Sequence, residues 1–426
     1  VSVVDVAQPA STPRRAILGS LVGTSLEWYD FFLYATAATL VFPAVFFPQL
    51  GEFTAILVSF TTYAVGFVAR PLGGMVFGHF GDRIGRRSVL VTTLILMGVS
   101  TFLIGLLPGY ATLGIAAPIL LCLLRFAQGL GLGGEWGGAV LMSIEHGRAD
   151  RSGLNGSWPQ VGVPVGLLLA NAVLLLMNLV LPKQAFVDWG WRVGFLLSGV
   201  LVLVGLWLRT RVSESPKFAE LEATGEKAKL PLAEVFRDHW RELIVAIVAR
   251  VGTDVGFYTF AFYSTAYLTK TLHVDSSTAL RAVLIGAAFQ VIAIPLSGLA
   301  SDLFGRRKVY FTGCLLMAGW AFAFFPLLET RSPLLIVLAL VIAFATHAVV
   351  YGPQAAFIAE MFSARFRYSG ASVGYQMAGI FGGGLAPIIA LSLYERYHSS
   401  LAISVYVAAT LVLAAAATLF ARRIVG

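Results

Sequence analysis

Long apolar stretches separated by short polar intervals run the length of the chain. Twelve can be read, at about 16–46, 54–80, 87–108, 112–146, 155–181, 190–211, 242–269, 277–301, 308–328, 333–361, 369–394 and 399–421. Each has roughly 20 residues or more, enough to cross a bilayer as a helix. Backbone groups in hydrocarbon must pair within their own segment, and the short alternating strands of a barrel are missing from the pattern. The expectation is an all-α membrane protein with 12 transmembrane helices. One sizeable polar interval, 213–241, divides it into a six-helix bundle at 1–212, a central loop and a second six-helix bundle at 242–426. Pro216, Gly225 and Pro231 break that interval, and 234–241 reads as an amphipathic piece lying along the membrane surface.

Composition agrees with the pattern. Hydrophobic residues make up 58% and charged residues 12%, about half the charged share of a soluble domain. Most of the 30 lysines and arginines fall in alternate intervals, including Arg14, Arg15, Arg83, Arg148, Arg209, Arg211, Arg307, Lys308, Arg365, Arg422 and Arg423. The positive-inside rule then puts both termini in the cytoplasm. The net charge of +8 belongs to this topology and to anionic inner-leaflet lipid, not to nucleic acid. A cleavable signal is not expected from the first span, whose polar flank is short and whose apolar run is too long. Cys122 and Cys314 fall inside spans of opposite halves, so neither a disulfide nor a metal site is indicated. There is no Walker loop and no ligand-spaced cluster, so neither an enzyme nor a cofactor is expected.

A short signature occurs twice, as Gly78-His79-Phe80-Gly81-Asp82-Arg83-Ile84-Gly85-Arg86-Arg87 and as Gly298-Leu299-Ala300-Ser301-Asp302-Leu303-Phe304-Gly305-Arg306-Arg307. Both read G-x-x-x-D-x-x-G-R-R between two apolar segments, about half the chain apart, so the second half repeats the first. The glycines suit two helix ends that meet tightly. By about the same interval Glu145 corresponds to Glu360 and Arg151 to Arg367. Asp82, Arg86, Glu145, Arg151, Asp302, Arg306, Glu360 and Arg367 are therefore expected to form a latch on the cytoplasmic face.

Ionisable groups inside a bilayer are costly enough to need a reason. The first span carries Glu27 and Asp30, the second Arg70, the fourth Arg125 and Glu135, and the seventh Arg250 and Asp254. Counted at about 1.5 Å per residue, Asp30, Arg70, Arg125 and Asp254 all come near the midplane. Arg250 and Asp254 are expected at the substrate site too, although their i, i+4 spacing also suits a purely local ion pair. A guanidinium stays charged and grips a carboxylate with two parallel hydrogen bonds, so a small organic anion is the expected substrate. Arg125 is the first choice for that contact, Arg70 the next. Tyr34, Tyr63, Gln160, Gln290, His347, Tyr351, Tyr375 and Gln376 could complete the site, though each also suits an ordinary helix contact. The same holds for the glycine-rich runs 129–138 and 379–384, which suit close packing and bending. Asp30 is the expected proton carrier, releasing Arg125 on protonation, with Glu27 and Glu135 as alternates.

Several motifs resemble the metabolite:proton symporter family of the major facilitator superfamily. They are Glu27-Trp28-Tyr29-Asp30-Phe31, Arg70-Pro71-Leu72-Gly73-Gly74, Arg125-Phe126-Ala127-Gln128-Gly129, Gly133-Gly134-Glu135, Asp188-Trp189-Gly190-Trp191-Arg192 and Arg367-Tyr368-Ser369-Gly370-Ala371-Ser372-Val373-Gly374-Tyr375-Gln376. The doubled signature is similar to the loops between the second and third and the eighth and ninth helices of that superfamily. The resemblance covers nearly the whole chain and is closest to the shikimate-transporting branch. It implies the major facilitator fold, two bundles related by pseudo-two-fold symmetry, working as a monomer in a bacterial inner membrane. It also implies proton-driven uptake by alternating access. Members of the family carry shikimate, α-ketoglutarate, citrate, or betaine and proline. Osmosensing betaine/proline carriers have a long charged C-terminal extension, whereas this chain stops at Gly426, which lowers the osmolyte alternative. Proton-drug antiporters have a Gly-Pro order in the fifth helix that 159–166 lacks, which lowers the efflux alternative.

Overall fold

The computed structural model describes residues 13–84, 86–133, 136, 140, 143–144, 149–210, 231–362 and 367–421, and all regular structure among them is helical. In the first half α1 is Pro13–Leu40, α2 Glu52–Ile84, α3 Arg86–Leu106, α4 Ala116–Leu132, α5 Ser152–Val180 and α6 Arg192–Thr210. In the second half α7 begins as Trp240–Tyr258 and continues through two π-turns to Thr271, followed by α8, Ser276–Phe304, α9, Arg306–Glu329, and α10, Pro333–Ala359. The last two are α11, which runs from Arg367–Gly379 through a π-turn at Ile380–Gly384 into Ala386–Tyr397, and α12, Ser400–Phe420. Nine helices among the described residues are long and apolar enough to cross a membrane; α3 and α4 contribute shorter apolar stretches, Val91–Leu106 and Ala116–Leu132. The 28-residue α1 takes the place of the first expected span.

Helix packing repeats with an offset of six. Helix α1 lies on α5, α2 on α4 and α3 on α6; correspondingly α7 lies on α11, α8 on α10 and α9 on α12. The seams between halves repeat too, α5 against α8 and α11 against α2. Bulky apolar side chains such as Leu203, Leu296 and Phe420 stand exposed on the outer surface, as lipid-facing positions do.

Small residues set the closest approaches. A Cβ on Gly133 would strike the Arg70 carbonyl, and one on Gly129 the Gly66 carbonyl, so α2 and α4 touch backbone to backbone. This contact holds Arg70 at a fixed depth beside α4. In the second signature Gly305 turns the chain between α8 and α9 at φ +95°, a region open only to glycine. Gly298, one turn before Asp302, lets α8 approach Gly153 at the start of α5.

Candidate functional site

Two cavities lie between the halves and share Trp28 and Tyr375 as walls. The first is lined by Thr24, Glu27, Arg70, Trp136, Tyr375 and Gln376 among others. The second is lined by Arg250, Asp254, Phe257, Tyr258, His347 and Tyr351. An aromatic layer drawn from both halves borders them: Phe32 meets Phe262 at 5.3 Å between ring centroids, and Phe67 meets Tyr258 at 5.4 Å.

The three buried arginines are in different conditions. The Arg70 guanidinium lies 4.1 Å from the centre of the Phe31 ring and 4.6 Å from that of Phe67, and its Nε and Nη2 have no hydrogen-bond partner. Cation–π contact offers about 2 kcal/mol when desolvated, whereas burying an ion costs several kcal/mol. The rings alone do not compensate the buried Arg70 charge, and Glu27 lines the same cavity. Arg125 is better satisfied. Its Nε donates to the Tyr63 carbonyl at 3.5 Å, its Nη1 donates to Gln128 Oε1, and Phe31, Tyr34 and Tyr63 surround it, leaving Nη2 unpartnered. Arg250 is engaged, with Nε donating to Asp254 at 3.0 Å and Nη1 to the Tyr375 carbonyl at 2.9 Å.

These positions change two sequence-based expectations. Arg125 lines neither cavity, and among the described residues it forms no ion pair with Asp30. The link is indirect: Gln128 Nε2 donates to the Asp30 carbonyl at 3.4 Å and to Thr101 at 2.7 Å, while Gln128 Oε1 receives Arg125. The Asp30 carboxylate instead accepts from Ser198 on α6. Glu27, three residues earlier on α1, shares the first cavity with Arg70. The expected order, Arg125 before Arg70, follows depth alone, whereas of the two only Arg70 lines a cavity.

The other expected residues divide between cavity and packing. Tyr34 donates to Thr62 at 2.7 Å behind the aromatic layer, and the Tyr63 hydroxyl is buried without a partner. Gln160 accepts from Trp136 at 3.2 Å and donates to the Tyr351 carbonyl at 3.5 Å, so it ties the halves together. Gln376 does the same through the Gly133 carbonyl at 3.1 Å, leaving its Oε1 unpartnered. Gln290 meets His347 Nδ1 at 2.7 Å, and the Tyr351 and Tyr375 hydroxyls stand 3.4 Å apart. Trp28 and Gln128 stand in the quoted motifs but were given no role at the site, and Trp136, Thr24, Thr101 and Ser198 were not among the expected site residues; Gln128 also had its i+3 spacing from Arg125 as a signal.

On the end of the bundle where α8 meets α9, here the signature face, Asp302 crosses between the halves. Its two carboxylate oxygens accept the Gly153 and Leu154 N–H groups of the first turn of α5, at 2.8 and 2.9 Å. Arg306 bridges Asp302 at 3.1 Å and Glu360 at 2.7 Å and donates to Ser152. Arg151 is exposed in the turn before α5. Glu135 and Glu145 lie outside the described residues, as do the side chains of Asp82, Arg86 and Arg367. On the opposite face, among the described residues, Lys270–Glu52 at 3.5 Å and Ser276–Asn178 at 3.4 Å join the halves.

Residues 16–235 match the family profile "Sugar (and other) transporter", and 247–425 match "Major Facilitator Superfamily". The chain is 42% identical over 407 residues to the inner membrane metabolite transport protein YhjE of Escherichia coli K12, covering 94% of this chain and 92% of that one. It is 40% identical to the shikimate transporter of the same organism, over 91% and 89% of the two chains. To a proline/betaine transporter of Salmonella typhimurium it is 33% identical, over 90% and 78%. Its fold is similar to the partially occluded inward-open xylose transporter XylE of E. coli, with TM-score 0.74, 19% identity and coverage of 96% and 97%.

Proposed function

The chain belongs to the metabolite:proton symporter family of the major facilitator superfamily, and from that membership we propose that it imports a small organic anion with protons across a bacterial inner membrane. It is a multi-pass transporter of a small molecule, not an enzyme. The observation that carries the anion reading is Arg70, buried, ringed by aromatics and with two unpartnered nitrogens at a cavity between the halves. A carboxylate there would supply both missing hydrogen bonds and the missing charge. Tyr375 and the free Gln376 Oε1 stand in the same cavity to receive substrate hydroxyls. The relative named as a shikimate transporter supports a hydroxylated acid of that kind.

Glu27 shares the cavity with Arg70, so its protonation leaves the Arg70 charge to the substrate and ties proton entry to anion entry. Asp30, held among Ser198, Gln128 and the Arg125 network, is the second proton site of this proposal. Alternating access then opens and closes the signature-face latch, which the basic-residue distribution assigns to the cytoplasm together with both termini.

The same cavity also favours a second reading. Trp28 lines it beside Glu27, a ring and a carboxylate that suit a quaternary ammonium, and the relatives include a proline/betaine transporter. Proteoliposomes loaded with a pH-sensitive dye separate the two. The anion reading expects shikimate-type acids to drive proton uptake and betaine to fail. Proton uptake with betaine or proline and none with carboxylic acids selects the second reading, and outward proton flux on substrate addition overturns import.

A further inference from the structure

Two arginines face the two adjoining cavities, one with open hydrogen-bonding positions and one closed. Arg70 brings free nitrogens to the first, whereas the fork of Arg250 is already filled by Asp254 and by the Tyr375 carbonyl. None of the Arg250 nitrogens is among the buried unpartnered atoms, and the guanidinium lies against the Tyr375 ring. The cavities share the walls Trp28 and Tyr375.

We infer that Asp254 is a specificity residue: a resident carboxylate occupying the place a second substrate carboxylate would need, so that the site admits acids with one carboxylate and a neutral, hydroxylated far end. This rests on the reading of Arg70 as the carboxylate site. The physical reason is repulsion. A substrate held by Arg70 extends past Tyr375 into the second cavity, where a second carboxylate would meet the Asp254 charge. The only nearby cation there, among the described residues lining that cavity, is the one Asp254 already holds. Like charges in a dry site repel strongly, and discrimination by an unfavourable contact needs no loss of affinity for the correct ligand. A neutral end bearing hydroxyls meets the Tyr351 and Tyr375 hydroxyls and the His347–Gln290 pair, whose Gln290 Oε1 is still unpartnered.

The test uses the purified full-length protein and a matched pair of competitors, cyclohexane-1,4-dicarboxylate and its monomethyl ester, at neutral pH. The parent protein is expected to prefer the half-ester by about tenfold or more, the size of one charge-assisted hydrogen bond. Asp254→Asn frees the Arg250 charge and should reduce or invert that preference by about tenfold, while Asp254→Glu should keep it. A parent protein that binds the diacid as well as the half-ester overturns the inference without any variant, so a misfolded Asp254→Asn leaves it decided. An unchanged ratio in folded Asp254→Asn overturns it as well. Arg70→Lys reports separately: if it leaves half-ester binding intact, or if the half-ester does not bind the parent, the Arg70 reading fails instead.

Discussion

Replacing Asp302 by Asn should open the signature face. In the closed arrangement the carboxylate accepts two N–H groups from the first turn of α5, at 2.8 and 2.9 Å, and pairs with Arg306 at 3.1 Å. An acid at a helix N-terminus also meets the positive end of the helix dipole. Hydrogen bonds to charged groups are worth about 1.5–3 kcal/mol each. Asparagine keeps one acceptor oxygen, so it loses one of these bonds together with the charge on the other and on Arg306. The loss is roughly 2–3 kcal/mol, a factor of about 30–150 between closed and open populations. It falls on the closed state alone, because an open face would hydrate Asp302 and Arg306 in either variant. Spin labels at the exposed positions Arg151 and Lys308, which belong to different halves, read the change as a distance distribution. The parent should give a short, narrow distribution and Asp302→Asn a second, longer population of comparable or greater weight. An Asp302→Asn distribution that matches the parent in folded protein would refute the assignment of Asp302 as the latch.

Gly153→Ala should act in the same direction, because its Cβ would lie 2.6 Å from the Gly298 carbonyl and 2.8 Å from Asp302 Oδ1; unchanged label distances would count against it. Arg70→Lys keeps charge but loses the fork, so substrate affinity should fall by about 1–3 kcal/mol, more than for Arg125→Lys, in a binding titration. Glu27→Gln should abolish uptake driven by a pH gradient while substrate exchange persists; a variant that still concentrates substrate with normal pH dependence removes Glu27 as the carrier. Asp30→Asn should show the same split only if the network behind the cavity also carries the proton, and otherwise should lower stability with transport per folded molecule preserved. Outside the membrane, Asp275 caps α8 by accepting the Ser277 N–H at 2.9 Å and the Ser277 hydroxyl, and these bonds, the hydroxyl first, hold its carboxyl below the ordinary aspartate value. Its contribution is therefore complete above that ordinary value and is lost as pH falls through the lowered one. Asp275→Ala should cost about 1 kcal/mol at neutral pH, with the difference in melting temperature from the parent narrowing in acid; a difference constant down to about pH 3 would refute this.

Much of the architecture was legible because membrane burial acts locally. An apolar run long enough to span must become a helix wherever it stands, so spans could be located one at a time. The doubled signature was legible for a related reason. Gly305 needs a positive φ and Gly298 a bare backbone, and both requirements belong to short stretches of chain. Arg250 with Asp254 was likewise visible, since i, i+4 residues meet on any helix.

The site was another matter. Residue counting measures height along a helix axis, whereas facing a cavity depends on rotation about it, at about 100° per residue. Arg70 and Arg125 both reach the ring of Phe31, at 4.1 and 4.3 Å, yet only Arg70 lines a cavity. Glu27 and Asp30 are separated by one turn of the same helix, and one faces the cavity while the other bonds to Ser198. The π-turns in α7 and α11 shift the register further, and such turns follow from packing against neighbours rather than from local propensity. The sequence by itself determined the class of protein, the internal repeat and the inventory of buried charge, because those follow from the cost of exposing backbone and ions to hydrocarbon. Which arginine is left without a partner was decided only when α1, α2, α4 and α7 packed together, since an ion's energy depends on the few side chains that surround it.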